Sequence, residues 1–146
     1  MKKFWVVALA GLLLVELSGC GLFETGGGES RAVSREFYKD GADNVEVQKA
    51  MFECGYENPS TGQVKSDNDA VKAAACMEQA GFKTKEKLLT KEGNCAWKPE
   101  LPACRPGAEI PKRSVQRRLN SRSCQNNRKY ATGLPLYFYN PALCEP

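Results

Sequence analysis

Asn44-Val45-Glu46-Val47-Gln48-Lys49-Ala50-Met51-Phe52-Glu53-Cys54-Gly55-Tyr56 and Asp69-Ala70-Val71-Lys72-Ala73-Ala74-Ala75-Cys76-Met77-Glu78-Gln79-Ala80-Gly81-Phe82 repeat one pattern. In the first, Val47, Ala50, Met51 and Cys54 fall at i, i+3, i+4 and i+7, one stripe of a helix. In the second, Ala70, Ala73, Ala74 and Met77 make a stripe of small residues with Cys76 beside it. Asp43 with Glu46 and Ser66 with Asp69 are capping-box spacings at the two starts. Each segment stops at Gly followed by an aromatic, Gly55-Tyr56 and Gly81-Phe82. Glycine enters the left-handed region that ends a helix, and an apolar residue after it folds back on the last turn. Two helices with similar caps, rather than a duplicated unit, account for the likeness.

Between them, Asn58-Pro59 and Thr61-Gly62 signal turns in a loop from Glu57 to Lys65. The simplest arrangement is an antiparallel helix pair stapled by Cys54–Cys76. Lys83 to Glu92 is highly charged and is expected to form a brief helix. Pro99, Pro102, Pro106 and Pro111 then make the chain loop-rich, with Trp97 expected to pack on the loop between Cys95 and Cys104. Pro111 suits the first turn of a third helix, since its missing N–H costs nothing there. On that helix Val115 and Leu119 face the core, and Arg113 with Arg117 and Arg118 with Arg122 lie outward. Leu136-Tyr137-Phe138-Tyr139, between Pro135 and Pro141, reads as a short extended segment tied down by Cys144. The expected fold is a small, mainly α, disulfide-stabilised, loop-rich domain: a two-helix hairpin, a third helix and a short C-terminal extended segment.

The beginning of the chain reads differently. Met1-Lys2-Lys3 is basic, and an apolar run from Phe4 to Val15 follows. As a helix that run rises roughly 18 Å, too short for a bilayer core that needs about 20 residues. A basic start, a short apolar stretch and then small residues form a secretory signal. Its end, Leu17-Ser18-Gly19-Cys20, resembles the lipobox of bacterial lipoproteins. The resemblance implies a diacylglycerol on Cys20, cleavage before it, and acylation of the new amino terminus. Gly21, where Asp would retain an enterobacterial lipoprotein in the inner membrane, implies the outer membrane, with the periplasmic or surface face left open. Gly26-Gly27-Gly28 lies in an aperiodic stretch that reads as a flexible tether, spanning on the order of 20 Å. The expected organisation is signal peptide 1–19, lipid-anchored tether 20–35 and stapled globular domain 36–146.

Of the 7 cysteines, Cys20 is assigned to lipid. Cys54, Cys76, Cys95, Cys104, Cys124 and Cys144 remain, an even set that implies disulfides in an exported domain. The set allows 15 pairings. Sequence alone does not choose among them; the simplest expectation, in chain order, is Cys54–Cys76, Cys95–Cys104 and Cys124–Cys144. A metal site is the rival, disfavoured by the absence of His and of any Cys-x-x-Cys. Ending one helix in Cys-Gly-Tyr and placing Cys-Met in the next is loosely similar to small cysteine-rich Gram-negative lipoproteins, a pattern that implies no activity.

Charge is uneven. Residues 20–97 hold 10 Lys/Arg against 13 Asp/Glu, and residues 98–146 hold 9 against 3. The basic part runs through Arg105, Lys112, Arg113, Arg117, Arg118, Arg122, Arg128 and Lys129, opposed by Glu109. A basic face attracts anions such as lipopolysaccharide phosphates, acidic lipids, an acidic protein or nucleic acid; otherwise it is a solvated surface. The candidate anion-binding residues are Arg113, Arg117, Arg118, Arg122, Arg128 and Lys129.

Catalytic patterns are missing. With no His, Ser-His-Asp and Cys-His sites are impossible. Ser66-Asp67-Asn68 matches one fragment of the penicillin-interacting enzymes, but neither Ser-x-x-Lys nor Lys-Thr-Gly accompanies it. No phosphate loop or calcium loop is complete. The expectation is a non-enzymatic accessory or binding module of the cell envelope, with no cofactor and no metal. Its partners are the membrane, through Cys20, and an envelope protein. The alternatives are an anionic-ligand binder using residues 105–129, or an inhibitor of an external hydrolase using the Cys95–Cys104 loop.

Overall fold

A computed structural model describes residues 32–130 and 140–146, without the side chains of 127–130. Cys20, the signal segment, most of the tether and Leu136–Tyr139 lie outside the described residues. Among the described residues five α-helices carry the fold: α1 (Asn44–Cys54), α2 (Asp67–Gln79), α3 (Lys91–Trp97), α4 (Val115–Leu119) and α5 (Arg122–Tyr130). Two short strands, β1 (Phe37–Tyr38) and β2 (Lys83–Thr84), pair antiparallel with Phe37 opposite Thr84.

The caps are where local chemistry puts them. Asp43 accepts from the Glu46 amide at 2.8 Å, and Ser66 from the Asp69 amide at 3.2 Å. Gly55 sits at φ 110° and Gly81 at φ 83°. The amides of Tyr56 and Phe82 bond back to the carbonyls of Met51 and Met77, each at 3.0 Å, closing both helices in the same way.

The core gathers Val47, Ala50, Met51 and Cys54 from α1 with Ala73, Cys76 and Met77 from α2. Phe37, Tyr56 and Phe82 close it, the rings of Phe37 and Tyr56 meeting edge-on at 6.2 Å between centroids. All four residues of the α1 stripe are buried. On α2 Val71 is buried and Ala70 only half-buried, because α2 packs against α1, α3 and the 3-10 turn Pro102–Cys104 and so covers more than one stripe.

Three disulfides join Cys54 to Cys76, Cys95 to Cys104 and Cys124 to Cys144, the pairs given by chain order. The first ties the last residue of α1 to a late turn of α2, about 14 Å along the helix from its start. Residues 55–66 cover that distance. They fold as a tight loop in which the Glu57 amide bonds to the Gln63 carbonyl and Gly62, at φ 69°, returns its amide to the Asn58 carbonyl. A Cβ on Gly62 would meet the Val33 side chain at 3.0 Å, so glycine answers both the turn and the close approach.

Five expectations change. Val33–Arg35 is not tether: it forms a 3-10 turn whose Val33 and Ser34 amides bond to the Ser60 and Pro59 carbonyls, with Ser34 buried. Lys83–Glu92 is not one helix. Lys83–Thr84 is taken by strand pairing, and the helix starts after Thr90, whose hydroxyl caps the Gly93 amide at 2.9 Å. Trp97 does not pack on the stapled loop; it is 70% exposed, with the Lys98 ammonium 4.6 Å from its ring centroid. The helix expected from Pro111 is α4, and it begins after Ser114, whose hydroxyl caps it. It also turns the other way: Val115 is 46% exposed and Arg118 only 2% exposed. A further helix, α5, follows.

Candidate functional site

The reversal of α4 has a cause on α1. Glu53 lies between Phe52 and Cys54, one turn after Ala50, and is 4% exposed. An isolated carboxylate that deep is costly, so it must be paired and hydrogen-bonded. Its Oε2 accepts from Arg113 Nε at 2.7 Å and its Oε1 from Arg118 Nε at 2.9 Å. The carbonyl of the same residue accepts from Arg117 at 2.5 Å and from the Ser114 amide at 3.2 Å. One residue at the end of α1 thus fixes the entire entry to α4.

The guanidiniums reach further. Arg113 also donates to Glu46 Oε1 at 2.8 Å and lies over the Phe82 ring, 5.9 Å from its centroid. Burial opposes charge on Arg113, but its bonds to Glu46 and Glu53 outweigh that, and its pKa ends above the ordinary arginine value. Arg118 donates to the carbonyls of Leu143 at 2.5 Å and Glu145 at 2.6 Å. With Cys124–Cys144, this holds the C-terminal residues against α1 and α5.

The six candidate anion-binding residues are therefore divided. Arg113 and Arg118 serve as internal counter-ions of Glu53, which corrects their assignment to an outward anion site: a nearby buried carboxylate claims them first. The pairing Arg113 with Arg117 survives in space, since both meet Glu53, but through different atoms. Arg117 and Arg122 are exposed. Arg128 and Lys129 belong to α5, with side chains outside the described part.

Arg117 and Arg122 border a groove of about 820 Å³ between the 56–65 loop and the α4–α5 junction. Lys65 lines the opposite side. Sequence reasoning missed Glu53 and Lys65. Glu53 carried a signal, an acid flanked by the buried stripe in a chain with surplus arginine. Lys65 carried none, because only the path of its loop brings it to the groove.

Other sequence features have structural uses. Asn68 Oδ1 accepts from the Ala103 amide at 2.8 Å, and Asp67 pairs with Lys98, so Ser66-Asp67-Asn68 caps α2 and clasps the Cys95–Cys104 loop. Among the described residues no cluster of three His, Cys, Asp or Glu is placed to hold a metal, and no helix is long and apolar enough to cross a membrane. The chain matches no family model, no curated protein and no solved structure.

Proposed function

We propose that this chain is a lipid-anchored lipoprotein of the bacterial cell envelope, acting as a non-enzymatic accessory or binding module. The observation that carries this is how the cysteines divide. Six of the seven pair within the folded unit, and the seventh, Cys20, stands in Leu17-Ser18-Gly19-Cys20. Three disulfides suit an oxidising compartment outside the cytoplasm. A lipobox cysteine suits export followed by acylation, and two or more acyl chains hold a protein stably where one binds reversibly. Gly21 after the anchor favours the outer membrane. The folded unit, held at the end of a glycine-containing tether, meets its partner clear of the lipid head groups.

The test is metabolic labelling of cells with a clickable fatty acid. Wild type takes up label and runs as the processed form; Cys20→Ser carries no label and accumulates as precursor. Equal label in both would remove Cys20 as the anchor. Alkylation of the oxidised protein without reductant, read by mass spectrometry, is expected to modify none of the six domain cysteines.

A further inference from the structure

The groove beside α4 and α5 has a defined chemistry. Three cations line it, Lys65, Arg117 and Arg122, against one carboxylate, Glu57. Arg117 is already oriented by its bond to the Glu53 carbonyl. Among the described residues no hydrogen bond or ion pair occupies the Lys65 ammonium or the Arg122 guanidinium. Between the charges stand uncharged donors and acceptors: Gln63 on the loop side, Ser123 and Gln125 on the helix side. A second hollow of about 430 Å³ continues past Gly55, Lys65 and Arg117 towards Lys72, Asp69 and Glu109, so the cationic end lies at the larger groove.

The size falls within the roughly 300–1,000 Å³ typical of small-ligand sites. The lining selects among anions. Among the described residues the groove's aromatics are Phe52 and Tyr56, both buried, so neither ring offers the exposed platform on which the bases of single-stranded nucleic acid stack. Amide and hydroxyl side chains suit sugar hydroxyls, which both donate and accept. Guanidinium and ammonium groups suit a carboxylate or phosphate, the guanidinium in a fork geometry.

We propose that this groove binds an acidic oligosaccharide, a short glycan whose carboxylate or phosphate pairs with Arg117, Arg122 and Lys65 while its hydroxyls meet Gln63, Ser123 and Gln125. The proposal rests on the folded unit alone and does not depend on how the chain is anchored.

Calorimetric titration of the full chain, purified oxidised in detergent, tests it. The probes are a glucosamine disaccharide bisphosphate, trigalacturonate, uncharged maltotriose, inorganic phosphate and a single-stranded oligonucleotide. One or both acidic sugars bind with Kd below about 1 mM, and the identity of the binder tells phosphate from carboxylate recognition. Maltotriose and inorganic phosphate bind at least about tenfold more weakly, each lacking one half of the recognised chemistry. The double variant Lys65→Glu/Arg122→Glu loses at least about tenfold, the order expected when charge-assisted hydrogen bonds are removed, with thermal unfolding unchanged. Lys112→Glu reverses an exposed cation outside the groove and leaves binding within about twofold. The proposal is overturned if neither acidic sugar binds, if phosphate alone or the oligonucleotide binds as tightly, or if Lys112→Glu matches the double variant.

Discussion

The α1–α2 region and the C-terminal region that carries α4 and α5 are closed by disulfides of nearly equal reach, 22 and 20 residues apart in sequence. They are held by different forces. Cys54–Cys76 sits inside an apolar cluster drawn from residues 37–82. Burial of that cluster stabilises the region at about 25 cal/mol per Å² of apolar surface removed from water. The C-terminal region sends Ile110 to the edge of the same cluster; beyond Ala103, the buried residues among those described are Arg118 and Cys124. It is fastened through Glu53, by two side-chain ion pairs and two bonds to the backbone carbonyl. A buried ion pair adds little over well-packed apolar residues, because desolvation offsets attraction. Losing one partner is another matter, since the survivor stays buried and charged. The first region is expected to yield gradually to substitution and the second to fail at a single residue.

Glu53→Ala gives the largest break. It strands Arg118, 2% exposed, and is expected to cost about 3–5 kcal/mol in denaturant unfolding. Hydrogen exchange should rise through Val115–Leu119 and Leu143–Glu145 while the amides of α2 stay protected. Uniform loss across both regions would show that the two do not differ in how they are held.

The disulfides come next. Chain entropy alone assigns about 3 kcal/mol to each of Cys54–Cys76 and Cys124–Cys144, and about 2.5 kcal/mol to the shorter Cys95–Cys104 loop. Replacing Cys54/Cys76 or Cys124/Cys144 by serine removes nearly the same entropy, so any excess at one of them belongs to its native surroundings. The excess is expected at Cys54/Cys76, where two hydroxyls enter the apolar cluster. The Cys124/Cys144 variant should lose exchange protection at Leu143–Glu145 alone, still hooked by Arg118. An equal effect on both regions would break the comparison.

The smallest effect sharpens the apolar side. Burial of Tyr56, with the Glu78 charge adding, pushes its hydroxyl well above the ordinary phenol range. A pKa raised in the folded state supplies stability that is complete below the unfolded value, about 10, and is lost as pH climbs towards the folded one. Unfolding measured from pH 8 to pH 11 should therefore show alkaline destabilisation that Tyr56→Phe reduces by about 1 kcal/mol at pH 11. Identical pH profiles would mean that the ring is not desolvated as the core requires.

Much of the first region was legible because its signals are local. Asp43, Ser66, Gly55 and Gly81 act within one turn of themselves, and the 3.6-residue stripe of α1 points wherever its helix points. The cysteine pairs turned out to follow chain order, but it took the fold to choose them from the 15 pairings that six cysteines allow. Lys83–Thr84 was misread where a local preference met a partner, Phe37–Tyr38, far away in sequence. The groove was half legible. Arg117 and Arg122 stood out as charges, but Lys65 reaches them only by the course of the 57–66 loop.

The sequence by itself determined the even set of domain cysteines, the caps, the apolar face of α1 and the surplus of cations near the end, because each depends on neighbours within a turn or on composition. Tertiary structure decided which cations turn inward. Glu53 and Arg118 are 65 residues apart, and no periodicity links them. Once α1 buries its stripe, Glu53 leaves water with it. The cost of an unpaired carboxylate then draws Arg113 and Arg118 inward, rotates Val115 to the surface and leaves Arg117 and Arg122 facing the groove.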